Sequence, residues 1–130
     1  MLSPHAFCHV TSLPLYYAVT PAFIKYYSKG SFPNSLIWAG ACDSAHDEGA
    51  SGISSNSMAN AFLEKGAGSY LGYSQITNAL FAKNTGDTFF EEFIGSSLTS
   101  GQSYDVTKSN MNCEGCRLYF AKHHKLEVAT

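Results

Sequence analysis

The sequence is short of charge. Only 14% of its 130 residues are Asp, Glu, Lys or Arg, against roughly 25% in ordinary soluble domains. The net charge is −2 and no cluster of Lys or Arg occurs, so no nucleic-acid partner is expected. Such a deficit of charge indicates that part of the surface is normally covered by something else.

Long hydrophobic runs and a large set of cysteines are also missing. No stretch of about 18 apolar residues is present, so neither a membrane-spanning helix nor a membrane partner is expected. Residues 1–8 lack the basic start and continuous apolar stretch of a secretory signal. Four cysteines are too few to imply a disulfide scaffold. By contrast, 45% hydrophobic residues predict a folded globular domain with one core.

A short apolar run, Ser35 to Asp43, is the feature around which the rest of the chain is arranged. Its Leu, Ile and Trp predict a buried strand, and it ends in the step Gly-Ala-Cys-Asp. Catalytic groups collect at the carboxyl ends of parallel strands, so Cys42 is a candidate nucleophile. A structural role is the alternative, because cysteine is among the residue types most often buried.

Two strands and the helix between them predict a crossover unit. A helix is expected from Ser57 to a cap at Gly66, followed by a short strand over residues 68–73. A right-handed crossover makes this strand parallel to the one before Cys42 and brings both strand ends to one edge of the sheet. That edge is the predicted site.

Helices are also expected on either side of this unit. Thr20 followed by a proline predicts the cap and first turn of a short helix. Ser74 is the predicted N-cap of a further helix. Residues 85–87 are expected to end that helix, and a second helix is expected to begin after them. That second helix carries the aromatic stripe 89–94, whose spacing is typical of a core-facing side. A further weak helix is expected around residues 102–107.

The order of these segments resembles that of caspase-like cysteine peptidases, gingipain-type bacterial proteins in particular. The resemblance rests on residues 33–43, 59–73 and 89–95, which read PNSLIWAGACD, ANAFLEKGAGSYLGY and FFEEFIG. In that family a strand ends in the nucleophilic cysteine, a helix and a glycine-rich strand follow, and an aromatic segment comes later. The resemblance implies an α/β fold, a partial three-layer αβα caspase-like sandwich with mainly parallel short strands and flanking helices.

The same resemblance implies hydrolysis of peptide bonds through a Cys/His dyad. Cys42 is the implied nucleophile, and a histidine that precedes it carries the proton. The family presents that histidine as His-Gly, a pair that this sequence lacks, and His9 is the upstream candidate. Asp43, Tyr73 and Ser74 are the candidate substrate-binding residues. No cofactor and no metal are implied.

Two explanations of the missing His-Gly stay open. The chain is either a fragment without the strands that carry the histidine, or a non-catalytic binding module that kept the scaffold and lost the dyad. In the first case residues 1–110 are the C-terminal part of the peptidase domain, incomplete at the N-terminus, and this chain alone is inactive. Its partners are then the missing N-terminal part and a peptide or protein substrate. A gingipain-like parent implies a secreted or cell-surface location.

Residues 111–130 lie outside the resemblance and are expected to form a tail of unknown role. They hold Cys113 and Cys116 in a Cys-x-x-Cys pair, followed by His123 and His124. Two cysteines and two histidines are a set that binds tetrahedral zinc. However, only six residues separate Cys116 from His123, fewer than the loop of about 12 in ordinary zinc fingers. A redox pair and a purely structural segment are also open, and the structural role is favoured.

Overall fold

A computed structural model describes residues 17–45, 57–122 and 125–128 of the chain. These residues form a mixed α/β fold. Its helices are α1 Pro21–Tyr27, α2 Met58–Glu64, α3 Ala79–Phe90 and α4 Ser100–Asn110, with a π-helical turn at Glu91–Gly95. Its strands are β1 Leu36–Trp38, β2 Ser69–Tyr73, β3 Cys116–Lys122 and β4 Lys125–Val128. Within the described ranges, no helix is long and apolar enough to cross a membrane.

The described strands form one mixed sheet in the order β1-β2-β3-β4. β1 and β2 are parallel, with Ile37 opposite Tyr70, which confirms the crossover predicted through α2. β3 runs antiparallel to β2, with Leu118 opposite Leu71, and β4 runs antiparallel to β3. The sequence placed a domain boundary after residue 110, whereas the chain beyond it supplies two strands of this same sheet.

Helices α3 and α4 cover one face of the sheet. Leu71 and Tyr73 of β2 and Leu118 of β3 point to this face, where Phe89 of α3 and Tyr104 of α4 pack against them. Residues at every second position of β2 share the face because the side chains of a strand alternate. All five side chains are at most 3% exposed, so this face holds a closed apolar core.

Helix α2 covers the opposite face, where Leu63 packs beside Tyr70. An ion pair of 3.1 Å between Lys25 Nζ and Glu64 Oε2 connects α1 to α2. The pKa of Glu64 is lowered by the hydrogen bond from the Asn60 side chain and, less strongly, by Lys25, with burial acting in the opposite direction. The carboxylate is therefore stabilised in its charged form at the junction of the two helices.

Most helix ends predicted from capping residues are confirmed. Thr20 and Ser57 cap α1 and α2 by accepting hydrogen bonds from backbone N–H groups, which are unpaired in the first turn of any helix. Gly66 follows α2 with a φ of 98°, a conformation that glycine adopts at little cost. α4 is longer than the predicted weak helix and begins with a capping box between Thr99 and Gln102.

Helix α3 corrects the sequence prediction. It is one continuous helix capped by Asn78, not by Ser74, and it passes through Gly86 without a break. Gly86 is accommodated because the indole of Trp38 packs against it: an added Cβ would lie 2.5 Å from Trp38 Cζ2. The break expected at residues 85–87 was wrong because this glycine allows a close contact between helix and strand.

Candidate functional site

The turn that carries Cys42 begins earlier than the sequence predicted. Regular strand β1 ends at Trp38, so Cys42 lies beyond the strand, in a turn over residues 41–45. The turn folds back across the end of β2, where the N–H of Ala45 donates to the carbonyl of Tyr73 at 2.9 Å. The ends of the two parallel strands and the Cys42 turn therefore meet at one edge, as the crossover predicted.

Gly72 permits this close return of the chain. A Cβ at this position would lie 2.8 Å from Ser44 Oγ and 3.2 Å from the backbone nitrogen of Ala45. Glycine inside a strand often marks a place where another backbone approaches closely. The turn thus rests directly on β2, with only the short side chains of Ser44 and Ala45 against Gly72.

Ser44 connects the ends of the two parallel strands, and sequence reasoning did not identify it. Its hydroxyl donates to the carbonyl of Ala39 at 2.8 Å and accepts from the N–H of Tyr73 at 3.1 Å. Its own carbonyl accepts from the hydroxyl of Tyr70 at 2.8 Å. Burial raises the pKa of Tyr70 to about 12, so this hydroxyl keeps its proton. A serine in a polar loop carries no sequence signal of such a network.

The sulfur of Cys42 lies against the backbone of Thr77. Its Sγ is 3.3 Å from the amide nitrogen and 3.0 Å from the carbonyl oxygen of Thr77. Cys42 is disulfide-bonded, so in this state Sγ accepts from the N–H and has no proton to donate to the carbonyl. A disulfide sulfur is not a nucleophile, and the thiolate becomes available only by reduction.

A pocket of about 400 Å³ opens beside Cys42. The turn after β1 forms one wall, and Ser57, Met58 and Tyr70 contribute the others. Its size lies within the range of ordinary ligand pockets, about 300–1,000 Å³. The carboxylate of Asp43 adds a charged group to a lining that also contains alanine and methionine side chains. The pocket can therefore bind a ligand side chain that has an apolar stem, with the carboxylate of Asp43 beside it.

Asp43 and Ser74 lie together at the predicted edge. Asp43 has a φ of 52° and its N–H donates to the carbonyl of Gln75 at 3.3 Å. The N–H of Ser74 donates to the carbonyl of Gly115 at 2.8 Å. Asp43 lines the Cys42 pocket, whereas Ser74 does not.

Tyr73 sits at the same edge with its side chain on the other face of the sheet. It is 2% exposed, and its hydroxyl donates to the carbonyl of Ala82 at 3.2 Å. Burial raises the pKa of Tyr73, and hydrogen bonds with Trp38 and Thr85 act in the opposite direction. Its side chain belongs to the core under α3 and does not line the Cys42 pocket.

The candidate histidines His9, His123 and His124 lie outside the described residues. Within the part of the chain that is described, no group of three His, Cys, Asp or Glu side chains is arranged to hold a metal ion. Cys113 and Cys116 form a disulfide with each other. In that state they are not zinc ligands, which require the thiolate.

Comparison of the chain with family models, curated proteins and solved structures returned no match.

Proposed function

We propose that this chain is the cysteine-bearing part of a caspase-like cysteine peptidase domain, a partial three-layer αβα sandwich. The observation that carries the proposal is the position of Cys42, just past the first of two parallel strands joined through α2. Cys42 also lines a pocket of about 400 Å³. Helices on both faces of the sheet agree with a sandwich architecture.

In the proposed reaction the Cys42 thiolate attacks the carbonyl carbon of a peptide bond. A C–S bond forms, and the C–N bond breaks as a histidine protonates the leaving amine. Water then hydrolyses the thioester and regenerates the thiol. The N–H of Thr77, 3.3 Å from Sγ, favours the negatively charged sulfur before attack, whereas the carbonyl oxygen of Thr77, 3.0 Å from Sγ, favours the protonated thiol.

Reduction precedes this chemistry, because Cys42 is disulfide-bonded. A dithiol reduces the disulfide in two exchange steps, in which the dithiol is itself oxidised to a disulfide and Cys42 is left as a thiol. Disulfides persist mainly in oxidising compartments, which agrees with the secreted or cell-surface location that the resemblance implies. The proposed peptidase is therefore active only in its reduced form.

The outer edge of β1 is the place that we assign to the histidine-bearing strand. Among the described strands β1 pairs only with β2, and a strand in that position can pair with a further strand on its other side. The family places its histidine at the end of the strand next to the cysteine, and His9 is the candidate within this chain. Without the missing N-terminal part we expect no measurable hydrolysis of peptide or protein substrates.

A comparison of two thiol-reactive probes tests the assignment. The chain is reduced under native conditions and treated with limiting iodoacetamide or with a limiting peptidyl acyloxymethyl ketone, and labelled cysteines are located by peptide mass analysis. We expect the peptide probe to favour Cys42 over Cys113 and Cys116 by about 10-fold more than iodoacetamide does, since only the peptide occupies the pocket. The urea-denatured chain is the control. Equal selectivity of the two probes would contradict the proposal.

The disulfide at Cys42 favours a second candidate function, a non-catalytic caspase-like module that binds peptides. In that case the pocket holds a peptide and no covalent step follows. Such a module binds the peptide equally well with Cys42→Ser, and the peptide probe then favours Cys42 no more than iodoacetamide does.

A further inference from the structure

A second sulfur site adjoins the backbone segment that contacts Cys42. The disulfide between Cys113 and Cys116 closes the connection between α4 and β3. Both cysteines are buried, with 3% and 2% of their surface exposed. Cys116 begins β3 opposite Tyr73, and the carbonyl of Gly115 accepts from the N–H of Ser74 at 2.8 Å. The pair is therefore part of the sheet edge and not of a loose tail.

Hydrogen bonds hold this connection independently of the disulfide. The N–H of Cys113 donates to the carbonyl of Lys108 at 3.0 Å, and the hydroxyl of Tyr104 donates to the carbonyl of Cys116 at 2.8 Å. A disulfide with a sequence separation of 3 closes so short a loop that it restricts the unfolded chain only weakly. The bond can therefore open and close while the surrounding backbone stays folded.

A cavity of about 150 Å³ is lined by one of the two cysteines. Cys113 lines it together with Gln75, Thr77, Phe81 and Asn112, and Cys116 is not among its lining residues. The cavity is large enough for a thiol of a few heavy atoms. Cys113 is thus the sulfur that an incoming thiolate reaches.

We propose that Cys113 and Cys116 form a thiol–disulfide exchange site for small dithiols and disulfides. A dithiol thiolate attacks the sulfur of Cys113, a new S–S bond forms, and the bond to Cys116 breaks. Cys116 leaves as a thiolate and takes up a proton. The second thiol of the reductant then displaces Cys113, so two electrons pass to the protein and a cyclic disulfide is released.

Lys108 belongs to the hydrogen bonds that hold the backbone at Cys116. Its Nζ lies 3.2 Å from the hydroxyl of Tyr104, which in turn donates to the backbone carbonyl of Cys116. These hydrogen bonds keep the backbone carbonyl of Cys116 in place while the sulfur of Cys116 leaves. The opposite reaction, with a small disulfide as oxidant, restores the bond through the same intermediate.

The test follows the oxidation state of this pair in the folded chain. Reduction by dithiothreitol is measured by alkylation and peptide mass analysis at several reductant concentrations. We expect the rate of opening to rise in proportion to the dithiothreitol concentration while circular dichroism stays unchanged. A rate that is independent of the reductant and equal to the rate of global unfolding would overturn the proposal, because the bond would then open only in the unfolded chain.

Two matched variants locate the point of attack. Cys116→Ser leaves Cys113 as the single thiol of the pair, and Cys113→Ser leaves Cys116. We expect cystamine to form the mixed disulfide about 10-fold faster with Cys113 than with Cys116, because only Cys113 lines the cavity. Equal rates would contradict attack at Cys113. The readout concerns these two sulfurs alone, so its failure leaves the labelling of Cys42, and thus the proposed peptidase function, untouched.

Discussion

The two faces of the sheet are stabilised in different ways. Under α3 and α4 the packing is aromatic and apolar, as in the stacked rings of Phe89 and Phe93, whose centroids are 5.8 Å apart. Under α2 the end of the sheet is held by hydroxyl groups, since Tyr70 and Ser44 connect the Cys42 turn to β2. Both faces bury apolar side chains, and the face under α2 also positions a turn and a pocket.

The largest effect is expected on the aromatic face. Replacement Phe89→Ala removes a side chain that is 0% exposed and should lower the free energy of unfolding by about 3–5 kcal/mol. Leu80→Ala on the same helix is the control, since Leu80 is 65% exposed. Urea unfolding followed by circular dichroism measures both. Similar losses in the two variants would show that α3 does not pack on the sheet as described.

A smaller effect is expected where the Cys42 turn crosses β2. Replacement Gly72→Ala places a methyl group 2.8 Å from Ser44 Oγ, and such overpacking costs about 1–3 kcal/mol. The turn should also move, which changes the rate at which Cys42 is reduced by dithiothreitol. Gly101→Ala is the control, because its nearest neighbour would be 3.7 Å away. An unchanged reduction rate in Gly72→Ala would contradict the close approach.

The smallest effect concerns the hydroxyl of Tyr70. Replacement Tyr70→Phe removes its hydrogen bond to Ser44 and should cost about 1 kcal/mol at neutral pH. Burial raises the pKa of Tyr70 from 10.0 to about 12, so its contribution is complete below pH 10 and is lost as the pH rises towards 12. The variant should lose less stability over that interval.

Urea unfolding between pH 8 and pH 11.5 measures this difference. Tyr26→Phe is the matched control, because Tyr26 is 79% exposed. The pH dependence does not vanish in Tyr70→Phe, since burial also raises the pKa of Tyr73. Identical alkaline slopes in the Tyr70 variant and the unmodified chain would show that the hydroxyl is not buried.

Local signals explain which parts of the fold could be predicted. Ser57 and Gly66 mark the two ends of α2 by their own chemistry, and the crossover then follows from the handedness of such units. The helix break predicted around Gly86 was wrong because the contact of Gly86 with Trp38 joins residues that are far apart in the chain. β3 was missed for the same reason, since its pairing with β2 is a non-local contact.

The candidate site was predicted in position but not in detail. The edge that carries Cys42 follows from the parallel strands, whereas the Ser44 network depends on the close approach at Gly72. The direction of the Tyr73 side chain did have a signal, because strand alternation places it on the same face as Leu71. Alternation therefore corrects a site assignment that proximity in the sequence had suggested.

The backbone of residues 73–77 has an evolutionary consequence. Its peptide groups donate to Gly115, accept from Asp43 and contact the sulfur of Cys42. Because these contacts come from main-chain atoms, most side-chain substitutions in the segment leave them intact. The connection between the two sulfur sites can thus persist in relatives whose residues there differ. It would then be recognised from the course of the backbone and not from a sequence motif.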